Sequence, residues 1–382
     1  MTRASDDWSR RSRAAQAMGH VEPATGALVP PVHLTSTYER AADNSYPRGF
    51  VYGRPDNATA REAEDVLAML EGAAAAMVFG SGMSAATSVF QALAPGDHVV
   101  APTVMYWALR HWLAQESGLA VDFVDASDAR ALRAAIRPGV TRLVWLETPS
   151  NPLWTIADIV DAAEAAHRAG ARLAVDSTVA TPILTRPLEF GADLVMHSAT
   201  KYLNGHSDVI AGALVCARPD DFWARIARIR AAQGKILGPF EAFLLIRGMR
   251  TLDLRVRAQS AGALWLAQQC AARDDVAQTL YPGLPTHPGH AIAARQMQGG
   301  FGGMLSIRVV GGAARAIATA AGARLWKRAT SLGGVESLIE HRASIEGPSS
   351  PCPDDLLRLS VGLESPEDLA RDLFAALDAA TA

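Results

Sequence analysis

Between residues 74 and 197 the chain repeats one pattern: a short, nearly continuous apolar run, a turn, then a stretch of helical period. The apolar runs are Ala74–Phe79, His98–Ala101, Val121–Val124, Arg142–Leu146, Arg172–Val175 and Leu194–Met196. Ser84–Leu93, Trp107–Ser117 and Ile159–Ala169 read as helices between them. Strands without polar alternation are buried on both faces, and intervening helices let consecutive strands run parallel. The pattern predicts an α/β protein built on a large, mostly parallel sheet. In such sheets ligands bind beyond the carboxyl ends of the strands, so residues there are the first candidates for chemistry.

The flanks read differently. Residues 1–60 lack periodicity and carry Pro23, Pro30, Pro31, Pro47 and Pro55, which predicts an extended arm. A helix over Ala60–Leu70 follows, stopped by Gly72. A long helical stretch covers 238–272. Beyond it, strands at Gly303–Val309 and Leu356–Ser360 alternate with helices at Ala313–Ala320 and Pro366–Ala379, a smaller α/β domain. With 382 residues the chain exceeds one ordinary core. The expected division is an arm over 1–60, a ligand-binding sheet domain over 61–250 and a C-terminal domain over 251–382.

Composition removes several function classes. A net charge of -3 without a long basic run argues against a nucleic-acid partner. Cys216, Cys270 and Cys352 are odd in number and far apart, which fits free thiols in a reducing compartment. Residues 1–20 hold no apolar signal core, and no run of about 18 apolar residues exists to span a membrane. The expected location is the cytoplasm. His287 and His290 lie three apart without a third ligand near them, so no metal is expected. His197 and His206 read as structural. The basic stretch Arg3–Arg13 reads as a solvated, mobile terminus, and Arg225, Arg228 and Arg230 as a solvated helix face.

The chemistry centres on Lys201. It follows the apolar run Leu194–Met196 directly, with Ser198 and Thr200 just before it. An amine desolvated at the end of a buried strand has a depressed pKa and can form a Schiff base. Two hydroxyls beside it suit a phosphate. Together they point to pyridoxal 5'-phosphate (PLP), which needs a lysine, an acid at the ring nitrogen, a phosphate cradle and a clamp for the substrate carboxylate.

Each part has a candidate. Asp176 ends the apolar run Leu173–Val175; its carboxylate would keep the pyridine protonated. Gly80-Ser81-Gly82-Met83-Ser84 joins a strand to a helix and offers backbone N–H groups to an anion. The same loop resembles a dinucleotide fingerprint, but the next strand ends Val99-Val100-Ala101 without the required acid. Arg358 lies inside the apolar run Leu356–Ser360, where an arginine needs a partner; its fork matches a carboxylate. Ser331 is placed to assist it. Tyr106 stands between a strand and a helix, where its ring suits the cofactor face.

These segments resemble the Cys/Met-metabolism PLP enzymes: cystathionine γ-synthase, γ-lyase, β-lyase and methionine γ-lyase. The resemblance runs from about Pro30 to Glu364 and rests on Val51-Tyr52-Gly53-Arg54, Ser81-Gly82-Met83, Glu147-Thr148-Pro149-Ser150-Asn151-Pro152, Val175-Asp176-Ser177-Thr178, His197–Tyr202, Gly302-Gly303-Met304 and Ser331-Leu332-Gly333-Gly334. It implies a fold-type-I PLP enzyme with a small amino-acid substrate, assembled as a homotetramer of two dimers that share active sites. It implies that Tyr52 and Arg54 bind the phosphate in the neighbouring subunit. Gly82 and Met83 would offer N–H groups, and Ser198 and Thr200 hydroxyls. Asn151 would lie near the cofactor's phenolic oxygen and the substrate carboxylate. Tyr106 would stack on the ring and activate the amine, and Lys201 would shuttle protons.

The chain departs from the family at Thr103, at Trp107-Ala108-Leu109, at Thr330, at Lys235 and across His341–Gly347. Cystathionine γ-enzymes typically carry Glu where Thr330 stands. The expected reaction is therefore C–S lysis of a sulfur amino acid, begun by loss of the α-proton. The alternatives are γ-replacement on an O-acylated homoserine and, from another class, a non-catalytic PLP-binding protein.

Overall fold

The computed structural model describes residues 7–347 and 351–380. It contains β1 (Ala75–Phe79), β2 (His98–Pro102), β3 (Ala120–Val124), β4 (Thr141–Glu147), β5 (Arg172–Asp176), β6 (Leu194–His197), β7 (Gly212–Cys216), β8 (Val276–Leu280), β9 (Met304–Val309), β10 (Lys327–Arg328), β11 (Leu338–His341) and β12 (Leu356–Ser360). The fold is α/β, with a large, mostly parallel sheet and a second, smaller one. Two compact units make up the chain: 1–94 with 193–253, and 95–192 with 254–382.

In the first unit the strand order is β1-β7-β6, and both pairings are antiparallel. The Ala58–Glu71 helix begins at Asn57, whose side chain accepts the Thr59 N–H, and stops at Gly72 in the left-handed region at φ 69°. The Gly82–Gln91 helix starts two residues earlier than its apolar periodicity suggests, because the Ser81 hydroxyl caps it by accepting the Ser84 N–H at 3.0 Å.

Two basic stretches of this unit differ from the sequence reading. Arg10–Ala15 is a helix; Arg11 pairs with Asp253 at 3.4 Å and Arg250 donates to the Ala15 carbonyl at 2.9 Å. The described part of that stretch is therefore docked, while Arg3 lies outside the described residues. Arg230 is buried rather than solvated. It pairs with Glu64 at 3.0 Å and lies over the Phe79 ring, so its helix turns this arginine inward.

In the second unit β5-β4-β2-β3 pair in parallel, as the uninterrupted apolar runs require. Val100, Val144, Leu146, Leu173 and Val175 pack there against Ile159, Ala162, Ala163 and Ala166 of the Ile159–Arg168 helix. The smaller sheet has the order β10-β11-β12-β9-β8. Its core joins Leu305, Ile307, Leu357 and Leu359 to Leu266, Trp326 and Leu373. The helical stretch 238–272 is two helices, Pro239–Met249 and Leu252–Ala271. The break falls where the Thr251 hydroxyl donates to the Gly248 carbonyl at 3.2 Å, in competition with the helical ladder.

Candidate active site

The first unit carries Lys201 and the glycine loop. Lys201 follows β6 in a tight turn, with its N–H on the Ser198 carbonyl at 3.1 Å and its own carbonyl accepting the Gly205 N–H at 2.7 Å. Gly82 approaches this turn closely: a Cβ there would lie 2.9 Å from both Cβ and Oγ of Ser198. Only glycine allows that approach without displacement. Gly212 of β7 is equally committed, since a Cβ would come within 2.0 Å of the Ser81 carbonyl oxygen. Gly82, Met83, Ser198 and Lys201 are thus gathered at one end of β1 and β6. The Thr200 hydroxyl donates to the Ala211 carbonyl at 3.1 Å and accepts the Ala211 N–H at 3.0 Å. Its single proton reaches another acceptor only by leaving Ala211.

Tyr52 and Arg54 belong to the same unit and stand side by side. The Arg54 guanidinium lies 5.9 Å from the Tyr52 ring centroid and donates to the Ala231 carbonyl at 2.7 Å. Tyr52 and Val51 are about half exposed.

The second unit carries the other residues. Asp176 ends β5, is 7% exposed, and its Oδ1 accepts the Thr178 N–H at 3.0 Å and hydroxyl at 2.5 Å. Directly across the β4–β5 ladder stands Glu147. Its two oxygens accept the N–H groups of Tyr106 at 2.7 Å and Asn151 at 2.8 Å. Burial, with the Asp176 charge beside it, pushes the Glu147 carboxyl up to about 8. Glu147 so orders two of the expected site residues at once. Tyr106 immediately precedes the Trp107–Gln115 helix and is 40% exposed as a residue.

Arg358 on β12 is 3% exposed. Its Nη1 donates to Asn151 Oδ1 at 3.2 Å, and its Nη2 to the Ser331 carbonyl at 2.7 Å and to Glu340 Oε2 at 2.5 Å. Ser331 sits at φ 92°, a conformation that costs a non-glycine residue energy, and this turns its carbonyl onto the arginine. Glu340 lies opposite Arg358 in the β11–β12 register and is shared with Arg342 at 3.2 Å; Arg342 in turn holds Glu346 at 2.7 Å. Two arginines and two glutamates thus form a buried ladder. Desolvation, only partly offset by Glu340, lowers Arg358 to about 10.

The profile of the Cys/Met metabolism PLP-dependent enzymes matches residues 12–378. This chain belongs to that family. It is 44% identical over 380 residues to cystathionine gamma-synthase of Mycobacterium tuberculosis, covering 96% of each protein. Its fold matches the crystal structure of cystathionine gamma synthase from Xanthomonas oryzae pv. oryzae in complex with cystathionine (TM-score 0.91, 40% identity, 97% and 98% of the two chains). It equally matches apo methionine gamma lyase from Micromonospora echinospora (TM-score 0.91, 38% identity, 98% and 100% of the two chains). The protein is a PLP-dependent trans-sulfuration enzyme, a C–S lyase or a γ-substitution enzyme acting on amino acids. Among the described residues no helix is long and apolar enough to cross a membrane.

The residues present fit this cofactor and substrate class. The Gly82–Ser198 approach is a cradle that a Cβ would fill. The hydroxyl of Ser177, beside Asp176, is buried with no partner among the described residues. Among the described residues Arg358 directs three of its five N–H groups at protein acceptors, which fixes the plane of its guanidinium. Two residues tied to these candidates escaped sequence reasoning, Glu147 and Glu340, and the pairing of Arg342 with Glu340 and Glu346 was not foreseen. Glu147 stood inside a recognised motif at the end of an apolar strand. The spacing Arg342-x-x-x-Glu346 was the one signal for the ladder.

Proposed function

We propose that the enzyme catalyses γ-replacement on an O-acylated homoserine with a thiol amino acid as nucleophile. Bound PLP supplies an electron sink for the substrate's α-carbon. Lys201 would hold the cofactor and, once released, take and return protons at Cα and Cβ, so that the acyl group leaves Cγ as a carboxylate and the thiol sulfur, losing its proton, bonds there. Asp176, as a carboxylate, would accept from the protonated ring nitrogen, while Glu147 orders Tyr106 and Asn151 through their N–H groups. Gly82 and Met83 with their backbone N–H groups, and Ser198 and Thr200 with their hydroxyls, hold the phosphate. Arg358, braced by Ser331 and Asn151, orients the substrate carboxylate. Tyr106 covers the ring and draws a proton from the incoming amine. Tyr52 and Arg54 complete the phosphate site of a neighbouring subunit in a tetramer built of two dimers; the exposed Val51 and Tyr52 support that reading.

The observation that carries replacement is the inward turn of Arg342 and Glu346, whose side chains are 3% and 4% exposed. These departures from the usual family pattern pair with each other and, through Glu340, with Arg358, so their charges are engaged by the protein itself. Replacement then accords with the 44% identity to cystathionine gamma-synthase. Elimination is the second reading, favoured by Thr330, where a γ-enzyme carries an acid. O-acetylhomoserine supplied with and without L-cysteine separates the two. Replacement predicts cystathionine as the main product when cysteine is present; keto acid released equally in both cases refutes it.

A further inference from the structure

Lys235 is a half-buried amine in the first unit with no acidic partner among the described residues. Its Nζ donates to Thr87 Oγ1 at 3.0 Å, Ser88 Oγ at 3.3 Å and Gln91 Oε1 at 2.8 Å, all neutral oxygens of the Gly82–Gln91 helix. The backbone aims it there. Gly234, at φ 66°, follows the Asp221–Ala232 helix, and the Lys235 N–H returns to the Arg230 carbonyl at 3.0 Å. The next residue closes on the glycine loop, since a Cβ on Gly80 would lie 2.9 Å from the Ile236 carbonyl oxygen.

The direction of these bonds is set. The Thr87 hydroxyl donates its proton to the Met83 carbonyl at 2.7 Å, and the Ser88 hydroxyl donates to the Ser84 carbonyl at 2.6 Å. A hydroxyl has one proton, so both oxygens face the ammonium as acceptors. Two charge-assisted chains therefore run from Lys235 into the first turn of the helix, ending at residues 83 and 84. Desolvation alone lowers the Lys235 pKa, so the charge is held at a cost that neutral oxygens only partly repay.

We propose that Lys235 is a positioning residue for the cofactor phosphate, holding the Gly82–Met83 turn in its anion-binding position through Thr87 and Ser88. The inference rests on the reading of Gly82 and Met83 as phosphate donors. It differs from a plain helix-end anchor, which would stabilise the helix without favouring a phosphate.

The test compares binding of PLP and of pyridoxal, which lacks the phosphate, to the apoenzyme by fluorescence quenching. Lys235→Met is expected to weaken PLP about tenfold and pyridoxal by less than about twofold. Lys235→Gln keeps the length and a donor without the charge, and is expected to fall between wild type and Lys235→Met. Should the Met variant fail to fold, the Gln variant carries the comparison. An unchanged ratio of PLP to pyridoxal affinity in the folded variants overturns the proposal. Ser198→Ala is the reference: if it narrows the ratio and the Lys235 variants do not, Lys235 alone loses its role. If none of them narrows it, the phosphate reading of the loop falls as well.

Discussion

Arg358→Gln is the most informative single change, because Arg358 belongs both to a buried charge ladder and to the proposed carboxylate clamp. In the wild type Arg358, Glu340, Arg342 and Glu346 sum to zero charge, with side chains no more than 6% exposed. Removing Arg358 leaves one negative charge in excess and takes from Glu340 its 2.5 Å partner. Breaking a buried pair on one side costs about 3–5 kcal/mol. For domains of this size that is a fall of about 10 °C in the melting temperature. Glu340→Gln leaves one positive charge in excess and is expected to cost a similar amount. The double variant is neutral again and is expected to recover most of the loss. Catalysis does not follow stability. Losing two charge-assisted bonds to a carboxylate lowers kcat/KM at least about a hundredfold, in the single Arg358→Gln variant and in the double variant alike. Calorimetry and steady-state kinetics on the three variants check this. A double variant that melts as low as Arg358→Gln refutes the charge-balance argument. Full activity in either variant lacking Arg358 refutes the clamp.

Other changes probe the remaining parts of the site. Glu147 is raised from 4.5 to about 8, so the folded state holds a proton there that the unfolded state releases. Stability is expected to decline as pH rises from about 4.5 to about 8, and Glu147→Gln to flatten that decline; denaturant midpoints at about pH 6 and 9 in both proteins decide it. Gly82→Ala puts a Cβ 2.9 Å from Ser198 Oγ and is expected to weaken PLP binding about tenfold while costing about 1–3 kcal/mol of stability. Equilibrium dialysis against PLP measures the first and urea unfolding the second. Lys201→Ala is expected to lower turnover by about three orders of magnitude or more while leaving the fold intact by circular dichroism.

Local patterns were legible wherever the cause is local. Uninterrupted apolar runs announced the parallel strands β2 to β5, because a strand buried on both faces has no polar alternation to show. Gly72 marked a helix end because a left-handed residue is needed there. Lys201, Asp176 and Arg358 stood out because a charge at or beside an apolar strand is expensive. The basic residues were harder. Arg225, Arg228 and Arg230 look alike on paper, yet Arg230 is buried against Glu64. That difference depends on which face of the helix turns toward Glu64 and Phe79, and helical period alone does not say which cation is turned inward.

By itself the sequence determined the α/β class and the family, since these rest on period, on residue type and on motifs of contiguous residues. The tertiary structure alone decided what those residues are paired with. Glu340 meets Arg358 only because β11 and β12 are antiparallel in one register, and Glu147 meets Asp176 only because β4 and β5 are parallel in another. Lys235 meets Thr87 and Ser88 of the Gly82–Gln91 helix only through the tertiary fold, 148 and 147 residues apart in the chain. Burial then acted on those pairs: with little water to screen them, each charge's behaviour is set by its nearest partner.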